Sequence, residues 1–168
     1  MDTTREYYLT WLRDAHAMEE QAITMMEGMA ARLEHYPALK AKILQHVEET
    51  KGQLAALQSL LDRADTNSSM VKDTMGKIAA KGQAFGGMFT TDEVIKGAMA
   101  SYTFEHMEIA AYEVLIATAQ KLGDVEAVTV FEQILQQEYD MAAWLSDHTP
   151  ETTDIYLSRS EADLEAKR

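Results

Sequence analysis

The 168-residue chain predicts an all-α fold, a four-helix bundle with one long crossover between its second and third helices. Three observations lead there. Apolar residues recur at alternating spacings of three and four along four long segments, the period of one buried helix face. Only two prolines and eight glycines interrupt the chain, too few for a protein of strands and hairpins. Two of the joins between segments are very short, which makes their helices antiparallel neighbours, while the third is long enough to cross the bundle end to end.

The first helix opens at Thr3, with Glu6 three residues on as a capping box, and runs to about His35. Its stripe reads Leu9, Leu12, His16, Glu19, Ile23, Met26, Ala30 and Leu33. Tyr36-Pro37 restarts the chain, because proline suits the first turn of a helix. The second helix, about 37–64, carries Leu39, Ile43, Val47, Thr50, Leu54, Leu57 and Leu61, with His46, Glu49 and Gln53 along the flank. The small polar run DRADTNSS breaks that pattern and opens a crossover over about 65–90, with a weaker helical segment expected at 69–84.

The third helix begins at Thr90, where Glu93 again completes a capping box. Its stripe is Ala98, Tyr102, Glu105, Ile109, Tyr112, Ile116 and Ala119. Gly123-Asp124 closes it and caps the fourth helix, about 125–148, whose stripe is Val128, Phe131, Leu135, Glu138, Ala142 and Leu145. The domain reading is therefore a bundle over 1–149, followed by a C-terminal tail or short helix over 150–168.

Composition narrows the function classes. The 28 acidic against 15 basic residues give a net charge of −13, a field that repels nucleic acid and anionic membrane surfaces. There is no cysteine, so disulfides, zinc fingers and thiol catalysis are excluded. The start has no basic head before an apolar run, and no apolar stretch is long enough to span a membrane. A cytoplasmic location is expected.

The chemistry lies where leucines are expected. From the join at residue 36, Glu19 lies 36 − 19 = 17 residues back and Glu49 lies 49 − 36 = 13 forward. From the join at 123, Glu105 lies 123 − 105 = 18 back and Glu138 lies 138 − 123 = 15 forward. Those offsets differ by about one helical turn, roughly 5–8 Å, so the four carboxylates share one layer of the bundle. Glu108 follows Glu105 by one turn, and His16 and His46 each precede a layer glutamate by three residues. Ionised carboxylates in an apolar core cost several kcal/mol each unless cations compensate them or protons are retained. Two divalent metal ions would do so, and a donor set of carboxylates with a little imidazole suits iron or manganese better than zinc or copper. The candidate ligands are Glu19, Glu49, Glu105, Glu108, Glu138, His46 and His16, with Tyr102 and Tyr112 as candidates to hydrogen-bond a ligand. The competing reading is a protonated structural network, the bundle of a stress protein that holds no metal.

The segments LRDAHAMEEQA, HVEETKGQ, ASYTFEHMEIAAYEVL and EQILQQEYDMAAWL resemble the YciE/YciF family of bacterial ferritin-like proteins. The likeness covers all four helices, about 12–148, in order. It implies a dimeric cytoplasmic bundle, related in architecture to rubrerythrins and other dimetal carboxylate proteins and associated with stress responses. Carried over residue by residue, it favours Glu19, Glu49 with His46, Glu105 and Glu108, and Glu138 as metal ligands. A two-metal centre would suit a small oxidant, peroxide or oxygen, as substrate. The chain departs from the wider ferritin-like pattern, which places Glu-x-x-His on the second and fourth helices. Here Lys51 stands three residues after Glu48, Gly52 after Glu49 and Met141 after Glu138.

Overall fold

The structure, a computed structural model, describes residues 3–65 and 91–167. It contains α1 (Thr3–Arg32), α2 (Pro37–Asp65), α3 (Glu93–Leu122) and α4 (Val125–Glu161), with no strand among the described residues. The expected helical segment at 69–84 and the capping threonine at 90 lie outside them.

Local chemistry accounts for most helix ends. Tyr36 accepts the amide of Lys40 at 2.9 Å, and Pro37 occupies the first turn of α2, where its missing N–H costs nothing. α3 ends on Gly123 with φ of 71°, a left-handed conformation in which glycine carries no steric penalty. The next residue, Asp124, accepts the Ala127 amide at 3.1 Å and so caps α4. The start of α3 differs from expectation. The helix begins at Glu93, with Asp92 at its N-cap, and the Glu93 carboxylate is held by both Nε and Nη2 of Arg32 on α1.

α4 also departs from the sequence reading. An end near 148, with a C-terminal tail or short helix over 150–168, was expected, but one helix continues through Pro150 to Glu161. Pro150 and Ser146, whose carbonyl loses its amide donor, are both exposed, so the lost bond falls on the solvent side of the helix. On the adjoining positions, His148 Nδ1 lies 2.9 Å from the Trp144 carbonyl and Thr149 donates to that of Leu145 at 2.7 Å. The extension is anchored by burial. Thr152 is buried, and Ile155 and Tyr156 pack on the apolar core. Beyond it, Tyr36 donates its hydroxyl to the Ala166 carbonyl, tying the chain end to the α1–α2 turn.

Two cross-helix ion pairs show how the helices run. Arg32, at the end of α1, meets Glu93 at the start of α3, and Arg63, at the end of α2, meets Asp124 and Glu126 at the start of α4. Both pairings are antiparallel, so α2 and α3 run parallel on a diagonal. The end of α2 and the start of α3 therefore lie at opposite ends of the bundle.

The core has two apolar halves. One gathers Tyr8, Leu12, Leu57, Leu115, Phe131 and Ile134, and the other Met26, Met29, Ile43, Phe104, Met141 and Leu145, among others. Between them, at mid-height, lies a layer of charged side chains.

Candidate metal centre

Each helix contributes to that layer from a position in its buried stripe: Glu19 from α1, His46 from α2, Glu105 and Glu108 from α3, Glu138 from α4. All five are at most 3% exposed. His46, Glu105, Glu108 and Glu138 can each turn one ligand atom inward so that these atoms lie within 4.8 Å of one another. Glu105 and Glu108 reach the same spot because three residues is nearly one helical turn.

The imidazole of His46 is the hub. Its Nδ1 lies 2.9 Å from Glu49 Oε2, and its Nε2 lies 3.3 Å from both Glu105 Oε2 and Glu138 Oε2. A single ring N–H cannot align with two acceptors, and neither contact has hydrogen-bond geometry, so both oxygens are buried without a hydrogen bond although each pairs with the imidazole ionically. Glu49 is 27% exposed and stands behind the ring rather than in the cluster. Across the layer, Tyr112 donates its hydroxyl to Glu19 Oε1, and Gln53 donates to Glu138 Oε1. Glu19 Oε2 and Glu108 Oε1 are likewise buried without a partner.

The electrostatics follow from one cation among many acids. Burial is the main force raising the Glu19 carboxyl to about 8, with the Glu138 charge adding to it. Burial also lifts Glu138, to about 7, against the opposing pull of His46. Glu108 is pushed well above the usual carboxylate range by burial and by Glu19, Glu138 and Glu105. For His46, burial alone would lower the value, but Glu105 and Glu138 outweigh it and raise it to about 11. Without a metal, the layer keeps protons and one imidazolium.

The remaining candidates fall elsewhere. His16 lies on the flank of α1, 3.9 Å from Glu20, and is not brought to the cluster, because Ala15 and Ala22 face the core in place of His16 and Ile23. Tyr102 is 38% exposed and packs edge-on against His106, since Ser101 and Glu105 turn toward α1 instead. Sequence reasoning placed Gln53 on the α2 flank, yet it is buried and holds Glu138. The signal was present: His46, Gln53 and Leu60 repeat at seven-residue spacing, the seam of a packed helix.

The whole bundle matches a known family, described as a domain of unknown function (DUF892), over residues 3–158. The chain belongs to that family. Protein YciF of Escherichia coli K12 is 27% identical over 145 residues, covering 82% of this chain and 85% of YciF. Among solved structures, a protein of Xanthomonas campestris pv. campestris is 43% identical, with a TM-score of 0.79, covering 95% of this chain and 99% of its own. The Escherichia coli stress protein YciF superposes with a TM-score of 0.77 at 21% identity, covering 92% and 99%. The expected YciE/YciF family and helical-bundle fold are thus shown. No helix among the described residues is long and apolar enough to cross a membrane.

Proposed function

We propose that this DUF892 bundle is a stress-associated metal-binding protein holding two divalent ions, iron or manganese, in its mid-height layer. The observation that carries the reading is the set of orphaned atoms: four buried carboxylate oxygens, on Glu19, Glu105, Glu108 and Glu138, have no hydrogen-bond partner. Buried polar atoms are rarely left so, and four in one layer point to cations as their missing partners. The donor set, oxygen-rich with one imidazole, suits iron or manganese.

In this reading Glu105, Glu108, Glu138 and His46 Nε2 are direct ligands, with Glu19 completing the layer. Glu49 accepts from His46 Nδ1 and thereby directs Nε2 inward, the usual partnership behind a metal-bound imidazole. Tyr112 and Gln53 each occupy one oxygen of a carboxylate and leave the other free, so they orient Glu19 and Glu138. A bound iron or manganese pair would supply redox chemistry toward peroxide or oxygen. Location in the cytoplasm and a homodimer belong to the same reading. The exposed apolar residues of α3 (Met99, Tyr102, Met107 and Val114) and the stacked Tyr7–Trp11 pair offer contacts for a second copy.

The test is metal content with thermal melting. Wild-type protein should bind Mn²⁺ or Fe²⁺ and melt higher with either, because only binding to the folded state shifts the midpoint. Glu138→Ala should lose that response, and Glu49→Gln should keep the stoichiometry while weakening affinity about 10- to 100-fold. A wild type whose melting ignores both metals would leave a metal-free structural stress protein as the function.

A further inference from the structure

Beside the cluster, between α1 and α3, lies a cavity of about 20 Å³. Met25, Met26 and Met29 line it from α1, and Gly97, Ser101 and Glu105 from α3. Glu105 is thus shared: the same buried side chain forms a wall of the cavity and lies 3.3 Å from His46 Nε2 in the cluster. Gly97 keeps the space open. A Cβ there would come within 3.0 Å of Met29 Cε and 3.3 Å of its sulfur, driving that side chain into the void.

The size and the walls together select an occupant. A cavity of about 20 Å³ holds one molecule little larger than water. Water or hydrogen peroxide would need two or more polar partners, and the walls scarcely provide them. The Ser101 hydroxyl is turned toward Met29 Sδ at 3.7 Å, and Glu105 is the other polar side chain on the described wall. The methionines, Ala22, Ala100 and the Phe104 ring make up the rest, a soft, polarisable lining suited to a small apolar molecule.

We propose that this cavity is a binding site for dioxygen, placed between α1 and α3 so that its occupant reaches the cluster past Glu105. The inference rests on the metal-centre reading for its purpose and narrows the small oxidant of that reading to dioxygen. The site itself exists without the metal, so the two are tested apart.

Dioxygen is paramagnetic and relaxes the nuclei it visits. The full chain, metal-free and labelled with ¹³C at the methionine methyls, is compared under nitrogen and under dioxygen pressure. Met26 and Met29 should show several-fold more oxygen-induced relaxation than Met141, which is buried outside this cavity. Ala100→Leu, at a half-buried position of the wall, should abolish the excess, and Gly97→Ala provides a second, milder filling. In metal-loaded protein, Ala100→Leu should slow dioxygen consumption several-fold at unchanged metal content. Met26 and Met29 relaxing no faster than Met141 would overturn the site, as would an excess that survives both fillings. Unchanged dioxygen consumption after the excess is lost would overturn its role in supply. Protein that takes up no iron or manganese but keeps the excess would refute the metal reading and leave the dioxygen site standing.

Discussion

In the half of the bundle where α2 ends beside α4, Phe131, Leu12, Leu57 and Leu115 are buried to 1% exposure or less. Midway along the same helices Glu19, His46, Glu108 and Glu138 are buried just as deeply. Equal burial has opposite consequences. Removing carbon from water stabilises the apolar half by about 25 cal/mol per Å². Removing carboxylates from water costs free energy, which one imidazole offsets only in part. The apolar half makes the bundle stable, and the layer holds a cost that a bound cation would relieve. A substitution that shrinks a side chain should therefore harm one region, while one that removes a buried acid should help the other.

The largest expected effect is in the apolar half. Phe131 is fully buried, with the rings of Tyr8 and Tyr112 6.4 Å and 6.2 Å away centre to centre. Phe131→Ala should lower unfolding free energy by about 3–5 kcal/mol, read from urea midpoints at constant slope. A loss much below that range would mean that the aromatic cluster collapses into the space and is less tightly packed than its burial indicates.

Glu108→Leu should act the other way in metal-free protein. Its carboxyl has no basic residue of its own and keeps its proton, so an apolar side chain of similar volume removes a desolvated acid. Replacing a desolvated acid by apolar volume should be neutral to stabilising. The same variant should lose stabilisation by Mn²⁺. If Glu108→Leu destabilised metal-free protein as strongly as a core truncation, the contrast between the two regions would fail.

The acidity of the layer gives a third, smaller effect. Glu138 and Glu19 titrate at about 7 and about 8 when folded, above their values near 4.5 when unfolded. Groups raised in this way contribute stability below about pH 4.5, and that stability is lost as pH climbs through 7 to 8. His46, raised to about 11, works in the same direction, with its contribution complete below about 6.5 and falling thereafter. Metal-free protein should therefore weaken steadily from pH 5 to pH 8. Metal-loaded protein should show the reverse trend, since ligands must shed protons to bind. Melting curves of both forms across that range should diverge, and parallel curves would mean that metal does not reach these carboxyls.

Much of this contrast is legible in the sequence, and its limits have physical causes. Glu19, Glu105 and Glu138 could be placed at one depth because short joins transmit register between neighbouring helices. Which side of a stripe faces inward was less certain. A straight helix drifts about 20° per heptad from a 3.5 repeat, so Ala15 rather than His16, and Glu108 and Leu115 beside Glu105 and Tyr112, turn to the core. His46 and Gln53 read as flank because polar residues usually are, whereas here burial and cross-helix partners decide. Proline is a strong stop signal, yet at Pro150 it fails, because the packing of Thr152, Ile155 and Tyr156 outweighs one lost bond on an exposed face.

The smallest effect supplies the control for the comparison. Gly28 in α1 and Gly52 in α2 lie within helices, are exposed, and have no described atom within 4 Å of where a Cβ would stand. A glycine there adds backbone freedom to the unfolded chain and gives the folded helix nothing in return. Gly28→Ala and Gly52→Ala should each add about 0.4–1 kcal/mol. Gly123→Ala should instead lose about 1–2 kcal/mol, because its left-handed backbone strains any Cβ. Gly52 has a second use, being only three residues from Glu49, behind the His46 ring, while Gly28 lies a full turn or more from any layer residue. If the layer acts only through its buried side chains, both variants gain equally and take up metal as wild type does. Should Gly52→Ala alone weaken metal uptake while adding its stability, the layer also depends on local give in α2, and the division between a rigid apolar half and a costly polar layer extends to the backbone.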